Sequence, residues 1–221
     1  MPRICVAVLL VFCTVPVLAD DAPTAGLSPE EAREGFVSLF DGKTLDGWQG
    51  AVKGYTVENG TMVCKCKHNA NLYTAKQYAN FILRFEFKLP PGGNNGVGIR
   101  TPLKGWPSQV GMEIQILDNG HPKYKDLQPY QFHGSIYGVV PAKRGFLKPA
   151  GQWNQQEILA DGSRVKVTLN GTVILEADLS KIDKMVDGWL HPGLHNAKGY
   201  IGWLSHGDPV AFRNVRIKEL P

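Results

Sequence analysis

Alternation of apolar and polar residues is the main pattern along this chain, and it predicts strands rather than helices. The most regular case is the segment 80–89, in which every second residue from Phe81 to Leu89 is aromatic or leucine. Successive side chains of a strand point to opposite faces of its sheet, so the segment predicts a half-buried strand. We expect its aromatic face to point inward, towards a second sheet.

The segment 111–120, GMEIQILDNG, alternates in the same way but carries a chemically distinct polar face. Its methionine and isoleucines would face the core, whereas Glu113 and Gln115 would present a carboxylate and an amide on the other side. Asp118 precedes an Asn-Gly turn signal, which would place a second carboxylate at the rim of the same surface. An ordinary amphipathic strand would show the same alternation, so the pattern alone does not establish a site.

Turn signals divide much of the remaining chain into short strands. Hairpins are predicted at Asn59-Gly60, Asp161-Gly162 and Asn170-Gly171. Asn-Gly and Asp-Gly pairs favour the left-handed backbone conformations that tight hairpin turns require. The sequence therefore predicts antiparallel neighbours at each of these positions.

Two further predicted strands would present side chains close to the segment 111–120. In VGIR, Val97 and Ile99 share one face, and Arg100 lies on the opposite, polar face. The segment 134–140, GSIYGVV, predicts a strand that presents Tyr137. The intervening residues 119–133 form a long loop rich in turn residues, and loops of that length in compact domains are often functional.

The order of these elements predicts an all-β fold. After Arg33 no amphipathic helix longer than a turn or two is apparent, and there is no alternation of strands with helices. About a dozen short strands indicate two antiparallel sheets packed face to face, as in a jelly roll. All-β sandwiches of this size commonly form one domain, so we expect a single domain over residues 35–221.

The first 19 residues predict a signal peptide. Arg3 supplies a positive charge, residues 4–17 are mostly apolar, and Val17-Leu18-Ala19 resembles a signal-peptidase site. The apolar run is short for a membrane span, so we expect cleavage near Ala19 and export to a periplasm or to the medium. Bulky Phe12 before Cys13 argues against a lipid anchor at that cysteine.

Residues 20–34 predict a polar leader that ends in one helical turn. Ser28 and Glu31 match a capping box, and Pro29 occupies the first helical position. The leader would bring the chain into the fold.

Cysteine usage and charge exclude several classes of protein. Cleavage would leave Cys64 and Cys66, which would share one face of a strand without the geometry that a disulfide normally needs. We expect two reduced thiols on a packed face, with metal binding or a vicinal bridge as alternatives. Loss of Arg3 would lower the formal charge from +4 to +3, and the basic residues are scattered among acidic ones, so no nucleic-acid surface is predicted.

Seven segments in order carry a family resemblance: GFVSLFDGKTLDGW, NGVGIR, GMEIQILDNG, IYG, KPAGQWNQQEI, VTLNG and HGDPVAFRNVRIKEL. From about Gly35 to Leu220 the chain resembles the 3-keto-disaccharide hydrolase domain, formerly a domain of unknown function. The resemblance implies a concanavalin-A-like jelly roll and a hydrolase that acts on glycosides whose C3 hydroxyl is already a ketone. It also implies a partner sugar 3-oxidoreductase that makes the keto sugar.

The resemblance carries the family's polar positions onto this chain. These positions are Arg100, Glu113, Gln115, Asp118, Tyr137, Trp153, Asn154 and His206. Two positions depart from the family pattern: Leu204 stands where members often have an amide, and His133-Gly134 stands where many have Thr-Gly. The departures leave the fold secure but put the substrate and the retention of activity in doubt.

The implied chemistry assigns candidate roles to these side chains. A ketone at C3 acidifies the C2 hydrogen, so the glycosidic bond can break by enolate formation and loss of the C1 substituent, followed by addition of water. Such a reaction needs a base, a group that stabilises the enolate, and an acid. The candidate bases are Glu113 and His206, the stabiliser is Arg100 or a bound divalent cation, and the acid is Tyr137 or Asp118.

Several other residues are expected to bind the substrate. The best candidate for stacking on a sugar is Trp106, because it lies between glycine and proline in a loop. His133 is the loop histidine expected in the cleft, and Gln115, Trp153 and Asn154 are expected beside it. No dense spacing of metal ligands marks a cation site.

Two other functions remain open from the sequence. A retaining glucanase would use Glu113 as nucleophile and Asp118 as acid, with the two carboxyl groups about 5 to 5.5 Å apart. A carbohydrate-binding module or lectin would use the same concave face without turnover. The substrate in each case is an oligosaccharide or glycoside.

Overall fold

Two antiparallel sheets pack face to face in the computed structural model, which describes residues 27–67 and 70–221. The strands are β1 (Val37–Ser38), β2 (Trp48–Gly50), β3 (Tyr55–Glu58), β4 (Thr61–Cys64), β5 (Asn71–Tyr78), β6 (Phe81–Lys88), β7 (Asn94–Thr101), β8 (Met112–Leu117), β9 (Trp153–Asp161), β10 (Arg164–Leu169), β11 (Thr172–Asp178), β12 (Gly199–Leu204) and β13 (Ala211–Glu219). Two short α-helices accompany them, α1 (Pro29–Arg33) and α2 (Pro107–Val110). The predicted signal peptide, residues 1–19, lies outside the described residues.

The larger sheet has eight strands in the order β11-β10-β9-β6-β13-β4-β3, with β1 paired to β13. The smaller sheet has five strands in the order β2-β5-β12-β7-β8. All the pairings between these strands are antiparallel. The predicted all-β, two-sheet sandwich of jelly-roll type is confirmed.

Aromatic side chains fill the space between the two sheets. Trp203 of the smaller sheet stacks on Phe212 of the larger sheet, with ring centroids 4.0 Å apart. Phe85 meets the same tryptophan edge to face at 5.2 Å, and Trp48 stacks against it at 5.8 Å. Burial of rings of this size is a major source of stability. The prediction that β6 turns its aromatic face inward is confirmed, because Phe85 is buried together with the other alternate residues of that strand.

The three predicted hairpin turns lie where the sequence places them. Asn59 and Gly60 both have left-handed backbone angles, with φ of 51° and 73°, and they join β3 to β4. Asn170 and Gly171, with φ of 49° and 83°, join β10 to β11. Gly162 lies in the turn between β9 and β10.

The predicted strand over residues 134–140 is wrong. Only isolated bridges occur there, from Ile136 to Ile114 and to Val140. The amides of Val139 and Val140 both donate to the carbonyl of Ile136, so the chain folds back on itself instead of extending. The Tyr137 amide donates to the Glu113 carbonyl at 2.9 Å, which fixes this turn against the free edge of β8.

The helical turn of the predicted leader forms as expected. The Ser28 hydroxyl accepts a hydrogen bond from the Glu31 amide at 3.1 Å, and Pro29 begins α1. The Glu31 carboxylate pairs with Arg216 and with Arg84 on the outer face of the larger sheet. The described end of the leader is therefore held against the sandwich, on the sheet that does not carry the cleft.

The two thiols are buried and unbridged. Cys64 Sγ lies 3.0 Å from Ser205 Oγ, and Cys66 Sγ donates to the Gly54 carbonyl at 3.1 Å. Burial raises the pKa of the Cys66 thiol to about 11. The expectation of two reduced thiols on a packed face is confirmed. Every helix within the described ranges 27–67 and 70–221 is too short and too polar to span a membrane.

Candidate active site

The outer face of the smaller sheet carries the candidate active site, and β8 forms its floor. Glu113 and Gln115 point outward from β8, as predicted, and both are almost fully buried. Their partners across the ladder on β7 are Gly98 and Gly96. A Cβ atom at Gly96 would lie 2.2 Å from Glu113 Oε1, so the carboxylate has room only because that residue is glycine.

A cleft of about 480 Å³ lies above this floor. One wall is the segment 105–108, which includes Trp106 and leads into α2. A second wall contains Asn71 with Ser205 and His206, and a third contains Tyr124, Gln131 and Tyr137. The lining therefore combines amides, hydroxyls and aromatic rings, as expected of a site that orients a polar ligand.

Glu113 is the acidic residue in the lining of this cleft. Only 8% of its surface is exposed, and burial raises its pKa from the ordinary value of 4.5 to about 7. None of the ion pairs formed among the described residues involves Glu113. A carboxylate with a pKa near neutrality is suited to accept a proton and to return it.

An amide network holds Tyr137 at the edge of the floor. Gln115 Nε2 donates to the Gln131 carbonyl at 3.3 Å, and Gln131 Nε2 donates to Tyr137 Oη at 2.9 Å. Because the tyrosine oxygen accepts this bond, its own proton remains available to the cleft. Tyr137 therefore lies where the sequence predicts a proton donor, and that role stays a prediction.

His206 and Trp106 lie at the mouth of the cleft. Trp106 is 60% exposed, which is compatible with the predicted stacking on a sugar. His206 is also exposed, and the surrounding protein lowers the pKa of its ring by desolvation, with the nearby Asp208 carboxylate acting in the opposite direction. The catalytic role of His206 stays a prediction.

Hydrogen bonds of buried His191, with its partly buried partner Asp187, link two walls of the cleft. One ring nitrogen of His191 lies 2.8 Å from the carbonyl oxygen of Ser108, and the other lies 2.9 Å from Asp187 Oδ2. The same pair packs on Gly138, where a Cβ atom would lie 2.2 Å from Asp187 Oδ2. The pair thus links the wall at Ser108 to the turn that carries Tyr137. Sequence reasoning missed this linkage.

The predicted position of Arg100 in the cleft is wrong. Its Nε donates to the Ala79 carbonyl and its Nη1 to the Gly162 carbonyl, both at 2.8 Å, while Nη2 donates to Asn80 Oδ1. The ladder between β7 and β12 shifts register near this point, and Arg100 has φ of 50°. Such a bulge interrupts the alternation on which the prediction relied. Arg100 instead links the end of β7 to the turn between β5 and β6 and to the turn between β9 and β10 of the larger sheet.

Asp118 also does not line the cleft. Its Oδ2 accepts a hydrogen bond from the Gly92 amide at 2.8 Å, and its amide donates to the Gly93 carbonyl at 3.0 Å. The carboxylate therefore holds the turn between β6 and β7. The strand ends at Leu117, so the alternation that places Glu113 and Gln115 on the floor does not extend to Asp118.

The predicted position of His133 in the cleft is wrong as well. Its ring stacks on Phe87 with centroids 5.1 Å apart, and its Nδ1 accepts a bond from the Leu117 amide at 3.4 Å. Burial between the sheets lowers the pKa of His133 to about 3. The loop turns this side chain inward, a tertiary effect that local pattern does not report.

Trp153 and Asn154 belong to β9, in the sheet that does not carry the cleft. Trp153 is covered by Arg213, whose Cζ lies 4.2 Å from the ring centroid. Asn154 Oδ1 accepts bonds from the Lys148 amide and from Asn170 Nδ2, each at 2.9 Å. Both predicted substrate contacts are therefore wrong in position, because the family pattern does not state which sheet a residue joins.

Several lining residues were not predicted. They include Asn71, Asn94, Tyr124, Leu127, Gln131 and Ser205. Three of these residues lie in the loop 119–133. The length of this loop indicates a functional segment, but it does not indicate which residues in the loop line the site. Over residues 27–67 and 70–221, no group of three or more His, Cys, Asp or Glu side chains is placed to hold a metal ion.

The site is thus a cleft of amides, hydroxyls and aromatic rings on the outer face of a jelly-roll sheet, of the kind that binds a small polar ligand. The family model described as a 3-keto-alpha-glucoside-1,2-lyase-like domain matches residues 35–218, and the chain belongs to this family. A 3-keto-disaccharide hydrolase of Bacteroides thetaiotaomicron is 29% identical over 229 residues, which cover 85% of this chain and 79% of that protein. The predicted family and the predicted enzyme class, a hydrolase, are confirmed.

Two crystal structures from Parabacteroides distasonis, of proteins named as glycosyl hydrolases, share the fold. One superposes with a TM-score of 0.76 at 27% identity, covering 89% of this chain and 99% of that chain. The other has a TM-score of 0.75 at 31% identity, covering 84% of this chain and 99% of that chain.

The raised pKa of Glu113 makes stability depend on pH. Because the folded pKa is about 7 and the ordinary value is 4.5, the folded protein holds this proton more tightly than the unfolded chain. The stabilisation that results is complete below pH 4.5 and is lost as pH rises through about 7. Relative to Glu113→Gln, the wild type should lose about 3 kcal/mol of unfolding free energy over this range.

Urea denaturation of both proteins from pH 4 to pH 9 measures this difference. The matched control is Glu176→Gln, because Glu176 is half exposed and pairs with Arg164 on the larger sheet. Parallel stability curves for the wild type and Glu113→Gln would show that Glu113 titrates normally.

Arg100 should act on stability rather than on chemistry. Arg100→Gln removes donors from two turn carbonyls and should lower the free energy of unfolding by at least about 2 kcal/mol. The turnover of a 3-keto-disaccharide per folded molecule should not change. Arg164→Gln, at an exposed ion pair, is the control for loss of a charge. A large loss of kcat in fully folded Arg100→Gln would show that Arg100 takes part in catalysis, as the sequence predicted.

Proposed function

We propose that this chain is an exported hydrolase that cleaves the glycosidic bond of 3-keto-glycosides by elimination and hydration. The observation that carries the proposal is Glu113, a buried carboxylate with a pKa near 7 on the floor of an open cleft. Family membership and the relative named 3-keto-disaccharide hydrolase support the same substrate class. The export part rests on residues 1–19, whose sequence resembles a signal peptide.

Elimination begins with proton transfer from C2 of the keto sugar to the Glu113 carboxylate. The electron pair of the C2–H bond moves towards the C3 carbonyl and forms an enolate. Collapse of the enolate restores the ketone, forms a C1–C2 double bond and breaks the bond from C1 to the glycosidic oxygen. The leaving oxygen takes a proton from an acid, and of the two predicted candidates Tyr137 lines the cleft whereas Asp118 does not.

Hydration returns the site to its starting state. Water bonds to C1 through its oxygen and gives one proton to the residue that protonated the leaving oxygen, while Glu113 returns its proton to C2. The products are the free 3-keto sugar and the released alcohol, so the net reaction is hydrolysis.

The cleft offers neutral hydrogen-bond donors to the enolate oxygen. Because Arg100 lies elsewhere, the described lining contains no lysine or arginine, and its amide-bearing residues include Asn71 and Asn94. Preorganised neutral donors stabilise an oxyanion most when water is excluded. A divalent cation would supply the same stabilisation, and removing it with a chelator tests that contribution.

Of the two alternative functions predicted from the sequence, the retaining glucanase has less support than the carbohydrate-binding module. A retaining glucanase needs two carboxyl groups facing one bond, and Asp118 holds a turn outside the cleft lining. A carbohydrate-binding module needs only the cleft, so turnover decides between it and the enzyme. We also keep the proposal that a sugar 3-oxidoreductase supplies the substrate, because the reaction needs the ketone at C3.

Incubation with a 3-keto-disaccharide and with its unoxidised parent tests the proposal, with and without chelator. Release of 3-keto-glucose from the oxidised sugar alone is the expected result. Cleavage of only the unoxidised parent would favour the glucanase, and binding without cleavage would favour the module. Loss of turnover with chelator and its return with one divalent cation would assign the enolate stabiliser.

Glu113→Gln tests the base in the same assay. The variant keeps the shape of the side chain but cannot accept the C2 proton, so kcat should fall by about 100-fold or more. In the wild type, kcat/KM should rise with pH through about 7, because only the carboxylate form of Glu113 is a base. An inflection below the ordinary histidine pKa of 6.5, lost in His206→Gln, would assign the base to His206 instead.

A further inference from the structure

A second depression of about 330 Å³ adjoins the cleft on the outer face of the smaller sheet. Asn71 and Gly105 line both spaces, so the two adjoin at these residues. The rest of its lining consists of Gly50, Ala51, Tyr73 and Leu103, the last of which is 46% exposed. The depression therefore combines an apolar edge with one hydroxyl group.

Glycine residues on two neighbouring strands hold the ring of Tyr73 flat on the sheet. A Cβ atom at Gly202 of β12 would lie 2.4 Å from Tyr73 Cδ1. A Cβ atom at Gly50 of β2 would lie 3.4 Å from Tyr73 Cδ2. Tyr200 packs beside the ring, with centroids 6.5 Å apart. The position of the Tyr73 hydroxyl is fixed by this packing.

The hydroxyl group of Tyr73 can act as a proton donor near the boundary between the two spaces. It accepts a hydrogen bond from Asn71 Nδ2 at 3.1 Å, which leaves its own O–H free for another acceptor. Burial raises the pKa of Tyr73, the bond from Asn71 opposes this, and the charge of Glu113 raises it further. The tyrosine therefore stays protonated near neutral pH, and it lies within electrostatic reach of Glu113.

The bond that breaks must lie where the two sugars of a substrate meet. With the keto sugar above Glu113, as the proposed function requires, the second depression is an adjoining space of a size to receive the leaving group. Asn71 and Gly105 form the boundary, and Tyr73 adjoins Asn71. Among the residues that line the second depression, Tyr73 carries the only side chain able to act as an acid near neutral pH.

We infer that the second depression holds the leaving group, and that the Tyr73 hydroxyl is the general acid that protonates the leaving oxygen. This inference rests on the proposed function. In elimination, the O–H bond of Tyr73 breaks as the bond from C1 to the glycosidic oxygen breaks, and the proton passes to the leaving oxygen. In hydration, water loses a proton to the Tyr73 phenolate as its oxygen bonds to C1, while Glu113 returns its proton to C2.

Tyr73→Phe tests the acid with two substrates that differ in their leaving group. A 3-keto-disaccharide releases a poorly stabilised alkoxide, whereas 4-nitrophenyl 3-keto-glucoside releases a stable phenolate that needs no acid. We expect kcat/KM to fall by about 100-fold or more for the disaccharide and by less than about 5-fold for the nitrophenyl substrate. Phenylalanine keeps the ring packing, and thermal denaturation checks that the variant is folded.

Tyr200→Phe is the matched control, because Tyr200 packs on Tyr73 but lines neither space. It should leave both rates close to those of the wild type. Tyr137→Phe tests the rival donor. A leaving-group effect in Tyr137→Phe, or equal losses on both substrates in Tyr73→Phe, would overturn the assignment of Tyr73. Absence of wild-type turnover on both 3-keto substrates would overturn the proposed function and the inference with it.

Ala51→Trp tests the second depression as a binding site without altering Tyr73. The larger side chain should fill the space, lowering kcat/KM for the 3-keto-disaccharide by about 10-fold or more. Turnover of methyl 3-keto-glucoside, whose leaving group is small, should be unchanged. Val173→Trp is the matched control, because Val173 is exposed on β11 of the larger sheet and lines neither space, so this variant should behave as the wild type on both substrates. Equal losses on both, or no loss on either, would place the leaving group elsewhere.

Discussion

The Glu113 carboxylate can be almost fully buried on the floor of this cleft only because the neighbouring strand, β7, has no side chain at that position. Gly96 leaves the space that Glu113 occupies, and a methyl group at that position would overlap the carboxylate. The remaining properties of the site depend on this contact, since burial raises the pKa of Glu113 into the range where it exchanges a proton readily. The larger sheet supports the arrangement from behind, through aromatic packing around Trp203.

Much of the fold could be predicted because its strands obey a strict period of two. The core face of β6, the outward face of β8 at Glu113 and Gln115, and the hairpin turns follow from local pattern and turn chemistry. Local pattern failed wherever tertiary geometry took over. Arg100 lies at a register shift, and His133 is drawn inward onto an aromatic ring. Neither effect leaves a signal in the neighbouring residues.

The candidate site, like the fold, could be predicted only in part. Sequence and family pattern identified the floor, the tyrosine at its edge and the aromatic ring at its mouth. They did not state which sheet each strand joins, so they gathered Trp153 and Asn154 into a cleft on the opposite side of the sandwich. Residues such as Asn71 and Gln131 could not be recognised, because an amide at a strand start or in a loop has many ordinary uses.

The pair of His191 and Asp187 bears on how the products of the proposed reaction would leave. It links the wall at Ser108 to the turn at Gly138 through hydrogen bonds and close packing. The second depression adjoins the cleft elsewhere, at Asn71 and Gly105. On the proposed chemistry, the released alcohol would leave along the depression that holds it, without separating the two sides that this pair joins.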